Sequence, residues 1–104
     1  MAKQKAKFGT VRVWKGGQDI HYSGLLQMAE HKLRIEARFD SYQEQSFAKI
    51  ERWNGSEWKQ LYYMPGRALV GFIDKAAYRR QEPAVSDFQA DVNFLIARAE
   101  EVLF

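Results

Sequence analysis

Residues 31–39 alternate without a break. Leu33, Ile35, Ala37 and Phe39 fall on one side, and Lys32, Arg34, Glu36 and Arg38 on the other. Successive side chains of a strand point to opposite faces, so the pattern predicts a strand with one face buried and the other wet. A helix would scatter both sets around its circumference. The chain must therefore build a sheet that is covered on one side.

Neighbouring segments supply further strands. Residues 8–14 set Phe8, Thr10, Arg12 and Trp14 against Val11 and Val13, and residues 19–25 set Asp19, His21 and Ser23 against Ile20 and Tyr22. Gly16-Gly17 lies between them and suits a two-residue hairpin turn, because both central residues can take positive φ. Pairing across that turn places Val13 beside Ile20, Val11 beside Tyr22, Trp14 beside Asp19 and Arg12 beside His21. Asp40-Ser41-Tyr42-Gln43 interrupts the alternation. Residues 46–53 and 57–63 then form a second hairpin around Asn54-Gly55. Its pattern puts Ala48, Ile50, Leu61 and Tyr63 on one side, and Phe47, Lys49, Glu51, Trp53, Trp58, Gln60 and Tyr62 on the other.

The second half reads as helix. Pro65-Gly66 ends the sheet. In residues 67–80, Leu69, Phe72, Ile73 and Ala76 recur at helical spacing, while Gly71 leaves room for a sixth strand at 68–73 with a short helix from Asp74. After Glu82-Pro83, Ser86 serves as N-cap and Gln89 completes a capping box, with Asp87 favouring the helix N-terminus. Phe88, Val92, Leu95, Ile96, Ala99, Val102 and Leu103 form one stripe, which predicts a helix over 87–103.

These pieces have one economical solution. It is an α+β, two-layer domain: an antiparallel sheet of about five strands with one or two C-terminal helices packed on one face. The predicted core holds Val11, Val13, Ile20, Tyr22, Leu33, Ile35, Ala37, Phe39, Ile50, Leu61, Phe88, Leu95 and Ile96. A chain of 104 residues supports one such core without staples. Residues 1–7 read as a flexible basic tail, and 8–104 as the single domain.

The charge balance has to be divided along the chain. The formal net charge is +3, which equals the contribution of Lys3, Lys5 and Lys7. The body from residue 8 onward then holds 13 basic and 13 acidic residues. Within it, residues 63–80 are basic and residues 81–104 acidic. A basic isoelectric point is therefore weak support for an anionic partner. The start of the sequence lacks the apolar run of a secretory signal, and the stretch Ala68–Ile73 is far too short to span a bilayer. A cytoplasmic protein with no membrane partner is the expectation.

Function has to be sought on the uncovered face. That face collects Arg12, Trp14, Lys32, Arg34, Arg38, Lys49, Trp53, Trp58 and Tyr62, together with His21 and Phe47, diluted by Asp19, Glu36 and Glu51. Basic residues interleaved with aromatics on an open sheet suit single-stranded nucleic acid. Rings stack bases, and Arg12, Arg34, Arg38 and Lys49 neutralise phosphates. The same residue types dominate protein interfaces, so a small protein-binding modulator or inhibitor is the alternative. An accessory protein of a mobile genetic element would be of this kind, using the Trp-rich face or the acidic last helix. A symmetric homodimer that buries the Trp-rich face is a third arrangement.

Catalysis has little support. The absence of cysteine excludes a disulfide scaffold, a thiolate nucleophile and a thiolate zinc site. His21 and His31 do not carry metal-ligand spacing, no paired carboxylates stand out, and no glycine-rich phosphate loop is present. The expectation is a non-enzymatic binding module without metal or cofactor.

Overall fold

The computed structural model describes residues 6–17, 19–40, 45–66 and 83–104. Among these, five strands form one antiparallel sheet in sequence order. They are β1 (Ala6–Gly16), β2 (Asp19–Met28), β3 (His31–Phe39), β4 (Phe47–Trp53) and β5 (Trp58–Pro65). A 3-10 turn (Val85–Phe88) leads into helix α1 (Gln89–Leu103). The two-layer α+β architecture is the one that the alternation and the helical stripe predict. The helix or sixth strand expected over 67–80 lies outside the described residues.

Strand β3 occupies the predicted span, with Leu33, Ile35, Ala37 and Phe39 buried. Its pairing with β2 is regular from Met28 opposite His31 to Ile20 opposite Phe39. The connecting turn has only Ala29 and Glu30, and Ala29 adopts φ 53°. That left-handed conformation usually falls to glycine or asparagine, so no residue type announces the turn. Strand β2 consequently runs three residues beyond the expected end and adds buried Leu26 and Met28 to the core.

The first hairpin corrects the predicted register. Val13 lies opposite Tyr22, Trp14 opposite His21, and Gly16 opposite Asp19. The turn is thus centred one residue later than Gly16-Gly17, with Gly17 at φ 65° and Gly16 still in the strand. The resulting shift is two residues, an even number, so Arg12 and Trp14 keep their predicted face. A bulge between Phe8 and Val11 then changes the parity towards the start of β1. Phe8, expected beside Trp14, lies opposite Leu26 on the helix side, and Lys7 lies opposite Gln27 on the other. The strand begins at Ala6, which brings Lys7 out of the predicted tail.

A second bulge has a larger consequence. Ile50 pairs with Tyr62, but Glu51 pairs with Gln60, leaving Leu61 as the extra residue of β5. One inserted residue turns over every side chain beyond it. Tyr62, expected on the open face, instead packs on the helix, with its ring centroid 5.9 Å from that of Phe94. Tyr63, expected on the side of Ala48 and Ile50, is 47% exposed on the opposite face.

The helix covers the far half of the sheet, touching β4 and β5. It buries Val92, Leu95 and Ala99, while Phe88 packs against Tyr22 at 5.4 Å between centroids. Full burial of a leucine such as Leu95 contributes about 2 kcal/mol. Val102 departs from the predicted stripe and is 61% exposed. Helix entry also differs from the Ser86–Gln89 capping box. The Ala84 N–H donates to the Asp87 carboxylate at 2.9 Å, and the Asp87 N–H donates to the Ala84 carbonyl at 3.0 Å. Because the 3-10 turn starts at Val85, Ser86 is already inside the helical run, and Asp87 takes over the end.

Two predictions test these placements. Tyr62→Ala will cost about 2 kcal/mol of stability or more, and Tyr63→Ala less than about 1 kcal/mol, as measured by urea denaturation. The reverse order would remove the bulge. Separately, burial holds the Tyr22 phenol above its ordinary 10.0. The folded state then keeps a proton that the unfolded chain releases, so this stabilisation is whole below about pH 10 and is lost as pH rises through the folded value. Denaturation midpoints will fall across the alkaline range, and will fall less for Tyr22→Phe. Parallel curves would contradict the burial.

Candidate binding face

Strand registers fix the open face as a grid. One row runs Trp14, His21, Arg38 and Phe47 across β1 to β4, with Pro65 at the end of β5. The next runs Arg12, Ser23, Glu36, Lys49 and Tyr63. A third contains Leu25, Arg34, Glu51 and Gln60, and the last contains Lys7, Gln27 and Lys32, with the Trp53–Trp58 pair beyond. Rows two residues apart and strands about 4.8 Å apart give a platform of roughly 20 by 20 Å. Among the described residues, no helix packs on it.

The centre of this platform is an ionic lattice. Glu51 is only 7% exposed despite its charge. Its Oε1 accepts from Arg34 Nε at 3.0 Å and from Arg34 Nη2 at 2.8 Å. Lys49 Nζ approaches Glu51 Oε2 at 3.8 Å and Glu36 Oε1 at 3.9 Å, and Arg34 Nε is 3.3 Å from Glu36 Oε1. Two cations and two carboxylates thus neutralise one another. Nearer the first hairpin, Arg38 Nε donates to Asp19 Oδ2 at 2.8 Å, and Arg38 Nη2 donates to the same oxygen.

Aromatic side chains stand around the lattice. Trp14 stacks on His21 at 5.1 Å with the rings 7° apart, and the Arg12 guanidinium lies 5.1 Å from the indole. Gly16 lies beside this stack, where a Cβ would make ordinary contact with His21 Nε2 at 3.4 Å. At the opposite corner Trp53 and Trp58 meet edge to face at 5.4 Å, and Arg34 lies 4.5 Å above the Trp58 ring. Phe47 and Tyr63 stack at 6.2 Å, with Lys49 Nζ 5.8 Å from the Phe47 ring.

Eight of the nine predicted site residues therefore share one face: Arg12, Trp14, Lys32, Arg34, Arg38, Lys49, Trp53 and Trp58. Tyr62 does not, because the β5 bulge turns it to the helix. Tyr63 replaces it, and Leu25, 36% exposed, was missed because the alternation of β2 was followed only to that residue. The predicted members do not form one continuous surface. Trp14 and the Trp53–Trp58 pair stand at opposite corners, with the charge lattice between them. No group of three metal-ligating side chains occurs among the described residues. Comparison of the chain with protein-family models, with curated protein sequences and with solved structures returns no match.

The lattice predicts a stability effect. Glu51→Ala removes both short hydrogen bonds of Arg34 and leaves it only the Glu36 carboxylate, at 3.3 Å, and will cost about 1–3 kcal/mol in chemical denaturation. A change below about 0.5 kcal/mol would mean that the pair behaves as an ordinary exposed surface bridge.

Proposed function

We propose that this chain is a non-enzymatic binding module whose open sheet face receives a protein segment rather than a nucleic acid strand. One observation carries the choice. Of the four cations suited by sequence to phosphate contacts, Arg34, Arg38 and Lys49 already meet carboxylates on the same face. Nucleic-acid affinity rests on cations that neutralise phosphates and release their counterions. A cation held by Glu51 or Asp19 supplies little of that without first losing its partner. A self-neutralised centre flanked by Trp14, Trp53, Trp58 and Tyr63 suits a protein interface, where aromatic and arginine side chains held in place contribute most of the affinity.

Size supports the same reading. A platform roughly 20 Å long accommodates an extended segment of about six residues. The face is already ordered by its ion pairs and ring stacks, so little side-chain freedom is lost on binding. A cytoplasmic setting is part of this proposal and rests on the sequence reading alone.

Photo-crosslinking in cells tests it. A benzoylphenylalanine placed at Trp14 will capture a protein in an adduct that survives nuclease, and the same group at exposed Val102 on the helix will not. An adduct that disappears with nuclease, or equal capture from both positions, would contradict the reading. An adduct of twice the 12.2 kDa chain mass would identify the captured protein as a second copy.

A further inference from the structure

Of the cations outside the central lattice, Arg12 lies against the Trp14 ring, and two others stand on one side of the face. Lys7 lies opposite Gln27 on β2, and Gln27 lies opposite Lys32 on β3, so two lysines flank one row. Both are exposed, and neither has a hydrogen-bond or ion-pair partner among the described residues. Between them is a shallow groove of about 280 Å³, with Leu25 and Gly9 in its lining. A Cβ at Gly9 would lie 3.6 Å from the Leu25 carbonyl oxygen and 3.9 Å from Leu25 Cβ. Those are ordinary contacts. The groove is therefore open because position 9 carries no side chain, and a larger residue there would occupy it.

We propose that this groove seats an acidic side chain of the partner segment, with an apolar side chain two residues away resting on Leu25. The inference rests on the reading that the sheet face takes a protein segment, and it names the chemistry of that segment. Two unpaired ammonium groups on either side of a polar row attract a carboxylate. Leu25, one row over, offers an aliphatic floor, and Phe8 also lines the groove. Residues i and i+2 of an extended chain point the same way and stand about 6.8 Å apart, the spacing between the Gln27 and Leu25 rows. The recognised pattern is an acidic residue, any residue, then an aliphatic one. Elsewhere on the face Arg34, Lys49 and Arg38 are occupied by carboxylates, and Arg12 stands alone against Trp14, with no second cation beside it among the described residues to complete a two-ammonium seat.

The test uses the whole chain and the peptide Ac-Ser-Glu-Ser-Leu-Ser-NH2, followed by ¹H–¹⁵N correlation spectra. The expected shifts fall on the amides of residues 7–9, 25–27 and 32. A peptide with lysine in place of glutamate will leave those amides unmoved, and so will hexathymidylate. Lys7→Gln with Lys32→Gln will weaken peptide binding about fivefold to tenfold, the effect of two exposed ion contacts. Gly9→Val will abolish binding while the spectrum elsewhere stays unchanged. Shifts centred on Trp14 or Trp58, an unaffected double variant, or equal shifts with hexathymidylate would overturn the proposal. Failure of the peptide while Trp14 crosslinks persist would remove this groove and leave the face reading intact. Peptide binding without those crosslinks would do the opposite.

Discussion

Strict two-residue alternation along β3, paired on both sides, governs this molecule. One set of its side chains builds the core under the helix, and the other builds the ionic centre of the open face. Leu33 and Ile35 are fully buried. Arg34, between them in sequence, reaches across to Glu51. A one-residue slip of this strand would exchange the two sets and put four charges into the core. Burial on one face therefore fixes the register that makes the ion pairs on the other.

The flanking strands depart from that regularity where function is read. The bulge between Ile50 and Glu51 exchanges the faces of Tyr62 and Tyr63, giving the helix one tyrosine and the open face the other. The bulge between Phe8 and Val11 carries Lys7 onto the open face and sets Gly9 beside Leu25. Bulges near sheet edges commonly redirect a side chain in this way. Here one shapes the aromatic border and the other opens the groove between two unpaired lysines.

Much of this was legible in the residues. Alternation gave β3 and its buried face outright, and the helical stripe gave Val92, Leu95 and Ala99. Asn54-Gly55 marked its hairpin correctly, with Gly55 at positive φ. Three things were hidden for physical reasons. Bulges have no residue signature strong enough to break an alternating pattern, so Tyr62 and Tyr63 were exchanged. The Ala29 turn uses a conformation that alanine seldom adopts, so β2 was read too short. Counting charges on the open face gave a basic surplus, but only the cross-strand registers show which cations are already paired. That last point changes the functional reading most, because it removes three of the four expected phosphate contacts.

The central claim is that the open face is electrostatically satisfied at its centre and does not grip a phosphate backbone. Titration of the intrinsic tryptophan fluorescence with oligothymidylate, at low and at high salt, tests it most directly. Trp14, Trp53 and Trp58 all lie on that face and will report any stacked base. The account predicts unchanged fluorescence at both salt concentrations. Quenching that saturates at low salt and weakens steeply as salt is raised would contradict it, because that behaviour requires several cations free to neutralise phosphates.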